Sequence, residues 1–260
     1  MSENRKLAQL MFKDNFMFGA VMADEEICRD FLEMAVGIPI EKVEISKEKS
    51  MIYHPEYHGI RLDIIARDEK RTHYNVEMQV AKKSNLGKRA RYYHSQMDME
   101  LLLTGDDYAA LPASYVIFIC DFDPFGSKKY RYTFQKISVE TGEPIDDGSI
   151  SIFLSTCGKN ETEVPAGLVN FLKFVKADLA GSTKDYQDGF VKKIQESMAR
   201  IKGSREMEER FMLLDDFGPV PDELRKNILE ERDMDILLKY LKLAAHIDSL
   251  ADFIDGMSKI

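Results

Sequence analysis

The chain has 260 residues, 44% of them hydrophobic, which is enough to bury a sizeable core in one main domain with an appendage. No run of about 18 apolar residues occurs, and the first residues lack the basic-then-apolar order of a secretory signal, so we expect neither a membrane span nor export. The net charge of −9 disfavours a dedicated nucleic-acid binder. Three widely separated cysteines favour buried free thiols in a reducing cytoplasm.

The first predicted element is a helix over residues 24–36. Asp24 is a suitable N-cap, two acidic residues follow it in the first turn, and Gly37 favours a helix end. The preceding segment, residues 12–22, is rich in Phe and Met. Such a segment is more often a helix or turn that packs in the core than a cofactor site.

Two apolar strands with a polar turn between them follow, at residues 59–66 and 74–80. Asp63 lies in the middle of the first strand, where an unpaired carboxylate costs free energy. Glu77 and Gln79 lie two residues apart, on one face of the second strand. An antiparallel hairpin would place Asp63 opposite Glu77, and a divalent cation would hold two such carboxylates together. A carboxylate pair with a neighbouring amide suits metal-dependent phosphodiester hydrolysis, but it can also line the solvated face of a sheet.

A strand around residues 43–52 precedes that hairpin, and a long helix over residues 86–104 follows it. Between Ala81 and Tyr93 the chain carries no acidic residue and five basic ones, which are Lys82, Lys83, Lys88, Arg89 and Arg91. A basic patch beside an acidic site is what phosphate binding requires. A run of charge is, however, more often the solvated start of a helix.

Residues 114–120 form a continuous apolar run that predicts a buried central strand. Further strands are expected at residues 130–139 and 151–154, with a hairpin turn at Asp146–Gly148. The order of helix, three strands, helix and strand predicts an α/β fold, in which helices flank a central mixed sheet.

From residue 165 onward the pattern is helical, so we place the main domain at residues 1–180 and a helical C-terminal extension at residues 181–260. An apolar stripe on its last helix indicates packing on its own domain, and would also suit a homo-oligomer interface. The stripe consists of Ile236, Leu237, Tyr240, Leu241, Ala244, Ile247 and Leu250.

Four segments of the chain resemble the PD-(D/E)XK nuclease superfamily, and more narrowly its Rpn family of recombination-promoting nucleases and transposases. They are residues 12–37, 59–79, 89–108 and 115–126. The resemblance extends over roughly residues 10–215. It implies a restriction-endonuclease-like core, Mg²⁺ or Mn²⁺ as cofactor, and DNA as partner.

The resemblance also implies roles for single residues. Asp63 and Glu77 match the two acids that bind the metal, and the backbone carbonyl of Met78 would add a ligand. Gln79 stands where the superfamily usually has a lysine, so it can orient a water but brings no positive charge. Gln96 matches an auxiliary polar residue. The first helix would contribute a further acid, with Glu26, Asp30 and preferentially Glu33 as candidates.

We therefore expect a Mg²⁺- or Mn²⁺-dependent DNA endonuclease of low sequence specificity, linked to recombination or transposition. Its DNA-binding residues would be Lys82, Lys83, Lys88 and Arg89. The alternative is a catalytically weak or inactive nuclease-fold protein that regulates by binding DNA or protein, which Gln79 and the negative charge favour. A third hypothesis is that the protein is a structural subunit of a mobile-element system and acts only together with other subunits.

Overall fold

A computed structural model describes residues 6–51, 60–102, 105–217, 224, 227–228, 231–244, 250–257 and 259. The chain divides into two compact units. The larger unit, Leu10–Ile201, contains the sheet. The smaller one comprises the residues up to Gln9 together with those from Lys202 onward. No described helix is both long and apolar enough to cross a bilayer.

Six strands form one mixed sheet in the order β1-β2-β3-β4-β6-β5. Strands β1, β2 and β3 are antiparallel neighbours, β3, β4 and β6 run parallel, and β5 pairs antiparallel with β6 at the edge. The strands are β1 (Val43–Met51), β2 (Ile60–Asp68), β3 (His73–Gln79), β4 (Ser114–Cys120), β5 (Arg131–Phe134) and β6 (Ser149–Ser155). The predicted α/β fold with a central mixed sheet is therefore confirmed.

Helices cover the sheet. In the larger unit they are α1 (Asn15–Met22), α2 (Glu25–Val36), α3 (Leu86–Leu101), α4 (Ala166–Lys176) and α5 (Gly189–Lys202). The helix predicted over residues 24–36 is confirmed as α2. The Asp24 carboxylate accepts the N–H groups of Glu26 and Ile27, and Gly37 ends the helix in the left-handed conformation.

One face of the sheet packs against α3. Ala90, Tyr93 and Met97 of this helix are buried with Val116 and Phe118 of β4. These residues alternate with side chains of the opposite face, such as Ile117 and Ile119, which are equally buried. Both faces of the central strands are thus covered, as their continuous apolar sequence predicts.

The second face is covered by α1, α2 and α4, which pack through aromatic side chains. Phe12, just before α1, contacts Phe18, Phe171 and Phe174 edge-on or tilted, with ring centroids 5.6–5.8 Å apart. Phe31 of α2 contacts Phe171 in the same way. The Phe- and Met-rich segment predicted to pack in the core does so.

The hairpin predicted at residues 130–154 differs from the structure in its turn. Strand β5 ends at Phe134, and an excursion follows whose tip lies near Gly142, at a φ of 76°. Asp147 is not the turn. Its carboxylate accepts bonds from Ser149 and pairs with Lys136, so it fixes the start of β6. The Asp-Asp-Gly sequence is typical of turns, and in the structure both Asp146 and Gly148 do take the positive φ values that turns require.

The compact unit extends to Ile201, beyond the predicted end of the main domain at residue 180. Helix α5 belongs to this unit because Val191 and Ile194 are buried and Phe190 packs on Phe171. Lys193 of α5 also bridges Glu26 and Asp30 of α2, at 2.6 and 2.5 Å.

The smaller unit contains α6 (Arg205–Phe217), α7 (Met234–Ala244) and α8 (Leu250–Met257). The predicted stripe of the last helix is thus divided between α7 and the start of α8. Its member Ile247 lies outside the described residues. Self-association through this stripe stays a prediction.

Candidate functional site

The hairpin of β2 and β3 carries the acids of the candidate site and determines which of them lie opposite each other. Ile64 pairs with Val76, and the register continues to Arg67 opposite His73. This is the register that the sequence predicts, so the next residues outward, Asp63 and Glu77, stand opposite each other. The paired backbone ends at Ile64 and Val76, and side chains join the strands beyond that point.

Asp63 and Glu77 link β2 to β3 through a reciprocal pair of bonds, which we call the carboxylate clasp. The Met78 N–H donates to Asp63 Oδ2 at 3.0 Å, and the Asp63 N–H donates to Glu77 Oε1 at 3.3 Å. Each acid takes the place of a missing backbone acceptor. The N–H and C=O of one residue in a strand point to the same side, so the Met78 carbonyl also faces β2.

Glu77 is 4% exposed, and its acidity reflects that burial. Burial, followed by the charge of Asp63, raises the pKa of the Glu77 carboxyl above its ordinary value. A nearby cation would counter both effects. The protein supplies one cation itself, since Arg89 Nη2 donates to Glu77 Oε2 at 3.1 Å.

Arg89 lies in the first turn of α3 and joins the two polar residues of β3. Its Nη1 donates to Gln79 Oε1, while Gln79 Nε2 donates to the Ala81 carbonyl at 2.9 Å. The Tyr93 hydroxyl, one turn further along α3, accepts from Arg89 Nε at 3.1 Å and from Nη2 at 2.7 Å. The guanidinium is therefore oriented by side chains of both the helix and the sheet.

Asn75 precedes Glu77 by two residues, on the same face of β3. It is fully buried and lies beside Glu77, where its amide favours the charged carboxylate. Among the described residues, neither its side-chain nitrogen nor its oxygen has a hydrogen-bond partner of good geometry. A buried amide in this state costs free energy, so its presence at the site calls for a reason other than stability.

The predicted acids of the first helix lie apart from the clasp. Glu33 Oε1 accepts the Ile40 N–H at 2.8 Å and so holds the loop that leads into β1. Glu26 and Asp30 pair with Lys193. Among the described residues, no three acidic, His or Cys side chains are grouped closely enough to hold a metal. The clasp thus offers two carboxylates, to which the described acids of α2 are not joined.

The other predicted site residues divide into buried and exposed sets. Gln96 is buried on α3, and Gln79 is 8% exposed. Lys82 and Lys83 are exposed on the segment between β3 and α3, which follows Gln79, and Lys88 is exposed in the first turn of α3. Arg89 is the exception among the predicted DNA-binding residues, because its guanidinium is engaged within the site.

A family model for the PD-(D/E)XK nuclease family transposase matches residues 9–211, which is most of the chain and includes the clasp, Gln79 and Arg89. The chain belongs to this family. No match was found among curated proteins or among solved structures. The mixed sheet with flanking helices agrees with the fold of PD-(D/E)XK nucleases, as the resemblance implied.

PD-(D/E)XK nucleases generally use divalent metal ions, and the donors present here fit one. Carboxylate and carbonyl oxygens are the ligands that Mg²⁺ and Mn²⁺ prefer. The clasp holds the buried carboxylate of Glu77 beside the partly buried one of Asp63. Burial, followed by the charge of Asp63, raises the pKa of Glu77, and a cation between the two acids would counter both effects. Asp63, Glu77 and the Met78 carbonyl are therefore suited to hold a divalent metal ion.

Two features of this site were not expected from the sequence. Arg89 was expected only as one member of a basic run, and its contact with Tyr93 was not predicted. The sequence does contain their spacing of four residues, which places Arg89 and Tyr93 on one helix face. It also shows that a buried Glu77 would require a positively charged partner. The burial of the Asn75 amide carried no sequence signal.

Proposed function

We propose that this PD-(D/E)XK nuclease family transposase is a Mg²⁺- or Mn²⁺-dependent DNA endonuclease that acts in recombination or transposition. The observation that carries the proposal is the clasp, in which the carboxylates of Asp63 and Glu77 join β2 to β3 through backbone N–H groups, two residues from Gln79 in β3. Asp63, Glu77 and the Met78 carbonyl would hold the metal. When bound, the ion would supply Lewis-acid activation of water and of the phosphate.

Gln79 would position the attacking water. Its amide is held at both ends, by the Ala81 carbonyl and by Arg89, which fixes the plane of the group. One N–H and one lone pair of that amide stay available for a water molecule. The role differs from that of a lysine at this position, because the amide orients the nucleophile without adding charge.

The exposed lysines would bind the DNA backbone. Lys82 and Lys83 lie on the segment that leads from Gln79 into α3, and Lys88 lies in the first turn of that helix. Contacts of this type go to phosphates and carry no base information. We therefore propose low sequence specificity.

Plasmid cleavage tests the proposal, with Asp63→Asn as the main variant. The asparagine carbonyl can still accept the Met78 N–H, so the clasp persists while one negative charge is lost. We expect Mn²⁺-dependent nicking to fall more than about 100-fold, because a lost metal ligand costs several kcal/mol in the transition state.

Asp146→Asn is the matched control. Asp146 is exposed and at a φ of 54°, which asparagine also tolerates, so its cleavage rate should equal that of the wild type. Cleavage that continues in EDTA, or at the wild-type rate in Asp63→Asn, would show that the proposed site is wrong.

A second candidate is a weak or inactive nuclease that binds DNA or protein as a regulator. The ion pair between Arg89 and Glu77 favours it, since one carboxylate already has a positive partner in the structure. Calorimetric titration separates the two candidates. Mn²⁺ uptake that is lost in Asp63→Asn supports the nuclease, and absence of both uptake and cleavage supports the regulator.

A further inference from the structure

The site lacks a lysine on β3 but not a positive charge. Gln79 occupies the usual lysine position, and the Arg89 guanidinium reaches it from the first turn of α3. The same guanidinium contacts Glu77 at 3.1 Å. A cation therefore lies between the metal-binding acid and the water-orienting amide, although it comes from a different element.

The hydrogen bonds of Arg89 leave one donor available. Of its five N–H groups, four point to acceptors: one to Gln79, one to Glu77 and two to the Tyr93 hydroxyl. The second N–H of Nη1 has no acceptor within the described part of the chain. The Arg89 side chain is 23% exposed, compared with 5% for Glu77, so this end of the site is accessible.

The orientation of Arg89 is fixed by aromatic rings. Its guanidinium carbon lies 5.3 Å from the ring centroids of both Tyr93 and Phe118. Phe118 is on β4 and completely buried, and Tyr93 is 5% exposed. A guanidinium held against two buried rings and by three side-chain acceptors is preorganised, and it need not be ordered when substrate binds.

We propose that Arg89 is a catalytic residue, which replaces the missing lysine and donates through Nη1 to an oxygen of the scissile phosphate. This inference rests on the proposed endonuclease function. The charges support it: two carboxylates, a divalent ion and a phosphodiester leave one negative charge, which Arg89 balances. A neutral Gln79 cannot do so. Stabilisation of the phosphate charge by a fixed guanidinium is the chemistry that arginine provides best.

The opposing explanation is that Arg89 serves only as a permanent counterion that allows Glu77 to be buried. A counterion would need contact with Glu77 alone. It would require neither the bond to Gln79 nor an exposed N–H. The two explanations differ in what happens when the positive charge is moved to residue 79.

The experiment uses four variants of the full chain: Arg89→Met, Arg89→Lys, the double variant Gln79→Lys with Arg89→Met, and Arg91→Met as the control. Arg91 lies on the same helix and is exposed, so its variant loses an equal charge outside the site. Single-turnover cleavage of a short duplex is measured in Mn²⁺. Binding of the same duplex is measured by fluorescence anisotropy in Ca²⁺, and folding by urea unfolding.

We expect Arg89→Met to cleave about 100-fold more slowly and Arg91→Met to stay within about threefold of the wild type. Arg89→Lys should retain part of the rate. The double variant should recover at least about tenfold over Arg89→Met, because it returns a cation to the usual position. Binding in Ca²⁺ should weaken about fivefold in Arg89→Met and less in Arg91→Met.

Two results would overturn the inference. One is a folded Arg89→Met that cleaves within about threefold of the wild type; the other is a folded double variant with no recovery. If the wild type itself does not cleave, the proposed function fails. The assignment of Arg89 to phosphate is then decided by binding alone, and equal losses in Arg89→Met and Arg91→Met would refute it.

Discussion

Asn75 is the residue whose placement most clearly conflicts with stability. It lies in the middle of a buried strand, next to an acid that is itself buried, and within the described part of the chain neither polar atom of its amide makes a hydrogen bond of good geometry. Valine is similar in size and is favoured in strands. An amide at this point therefore reduces the stability of the fold, and its benefit is the support that it gives to the charged form of Glu77.

We predict that Asn75→Val raises the free energy of unfolding by roughly 1–3 kcal/mol, because a buried amide that makes no hydrogen bond of good geometry is replaced by an apolar side chain of similar size. Cleavage in saturating Mn²⁺ should fall in the same variant. Urea unfolding and plasmid nicking measure the two effects.

Ser114→Val is the matched comparison. Ser114 is also buried on a strand, but its hydroxyl lies 2.8 Å from His94 Nδ1, so its loss should destabilise the protein. A less stable Asn75→Val would show that the amide has partners in solution after all.

At the scale of elements, the position of the clasp depends on the β2–β3 turn. Asp68 Oδ1 accepts the N–H groups of Lys70 and Thr72 at 2.9 and 2.8 Å, and its Oδ2 accepts the Tyr74 hydroxyl at 2.8 Å. Arg71 takes a φ of 68° within this turn. Asp68 is 6% exposed, so these bonds are made largely out of water.

We predict that Asp68→Ala lowers the free energy of unfolding by about 3 kcal/mol, since three bonds to a buried carboxylate are lost and the Tyr74 hydroxyl is left without an acceptor. Lys70→Ala changes an exposed residue of the same turn and should have an effect under about 0.5 kcal/mol. Urea unfolding of both variants is the measurement. Similar values for the two would mean that the turn does not depend on the carboxylate.

The sequence predicts most of this hairpin, because its register follows from alternation and turn length alone. The strands, α2 with its caps, and the opposition of Asp63 and Glu77 all come from such local rules. The connection between β5 and β6 does not, since β5 leaves the sheet early for an excursion stabilised by contacts such as Lys136 with Asp147. Arg89 could not be placed because its position depends on how α3 packs over β4.

At the scale of the larger unit, His94 connects α3 to the centre of the sheet. Its Nδ1 lies 2.8 Å from the Ser114 hydroxyl of β4, and its Nε2 lies 3.1 Å from the Ser151 hydroxyl of β6. Burial, with a contribution from Lys136 that Asp147 partly offsets, lowers the pKa of His94 to about 4. The imidazole is therefore neutral in the folded protein at neutral pH.

Because the pKa of His94 is lower in the folded than in the unfolded chain, the unfolded chain binds this proton at a higher pH as the solution is acidified. Stability should therefore fall as the pH decreases from about 6.5 towards 4, by roughly 3 kcal/mol at most. His94→Gln keeps a polar side chain without this titration, so its unfolding midpoint should change less over that range. His73→Gln is the comparison: burial lowers the pKa of His73 as well, but His73 is less buried than His94, so this variant should reduce the pH dependence less than His94→Gln does. Parallel pH curves for the wild type and His94→Gln would contradict this account.

The carboxylate clasp has a consequence for the evolution of this protein. The acids that would cut DNA also close the gap where two strands cease to pair, so cleavage and folding draw on the same atoms. A descendant that no longer needs to cut would still be penalised for replacing Asp63 or Glu77. We therefore expect gene copies that have lost nuclease activity to keep both acids long after Arg89 and the exposed lysines have been substituted.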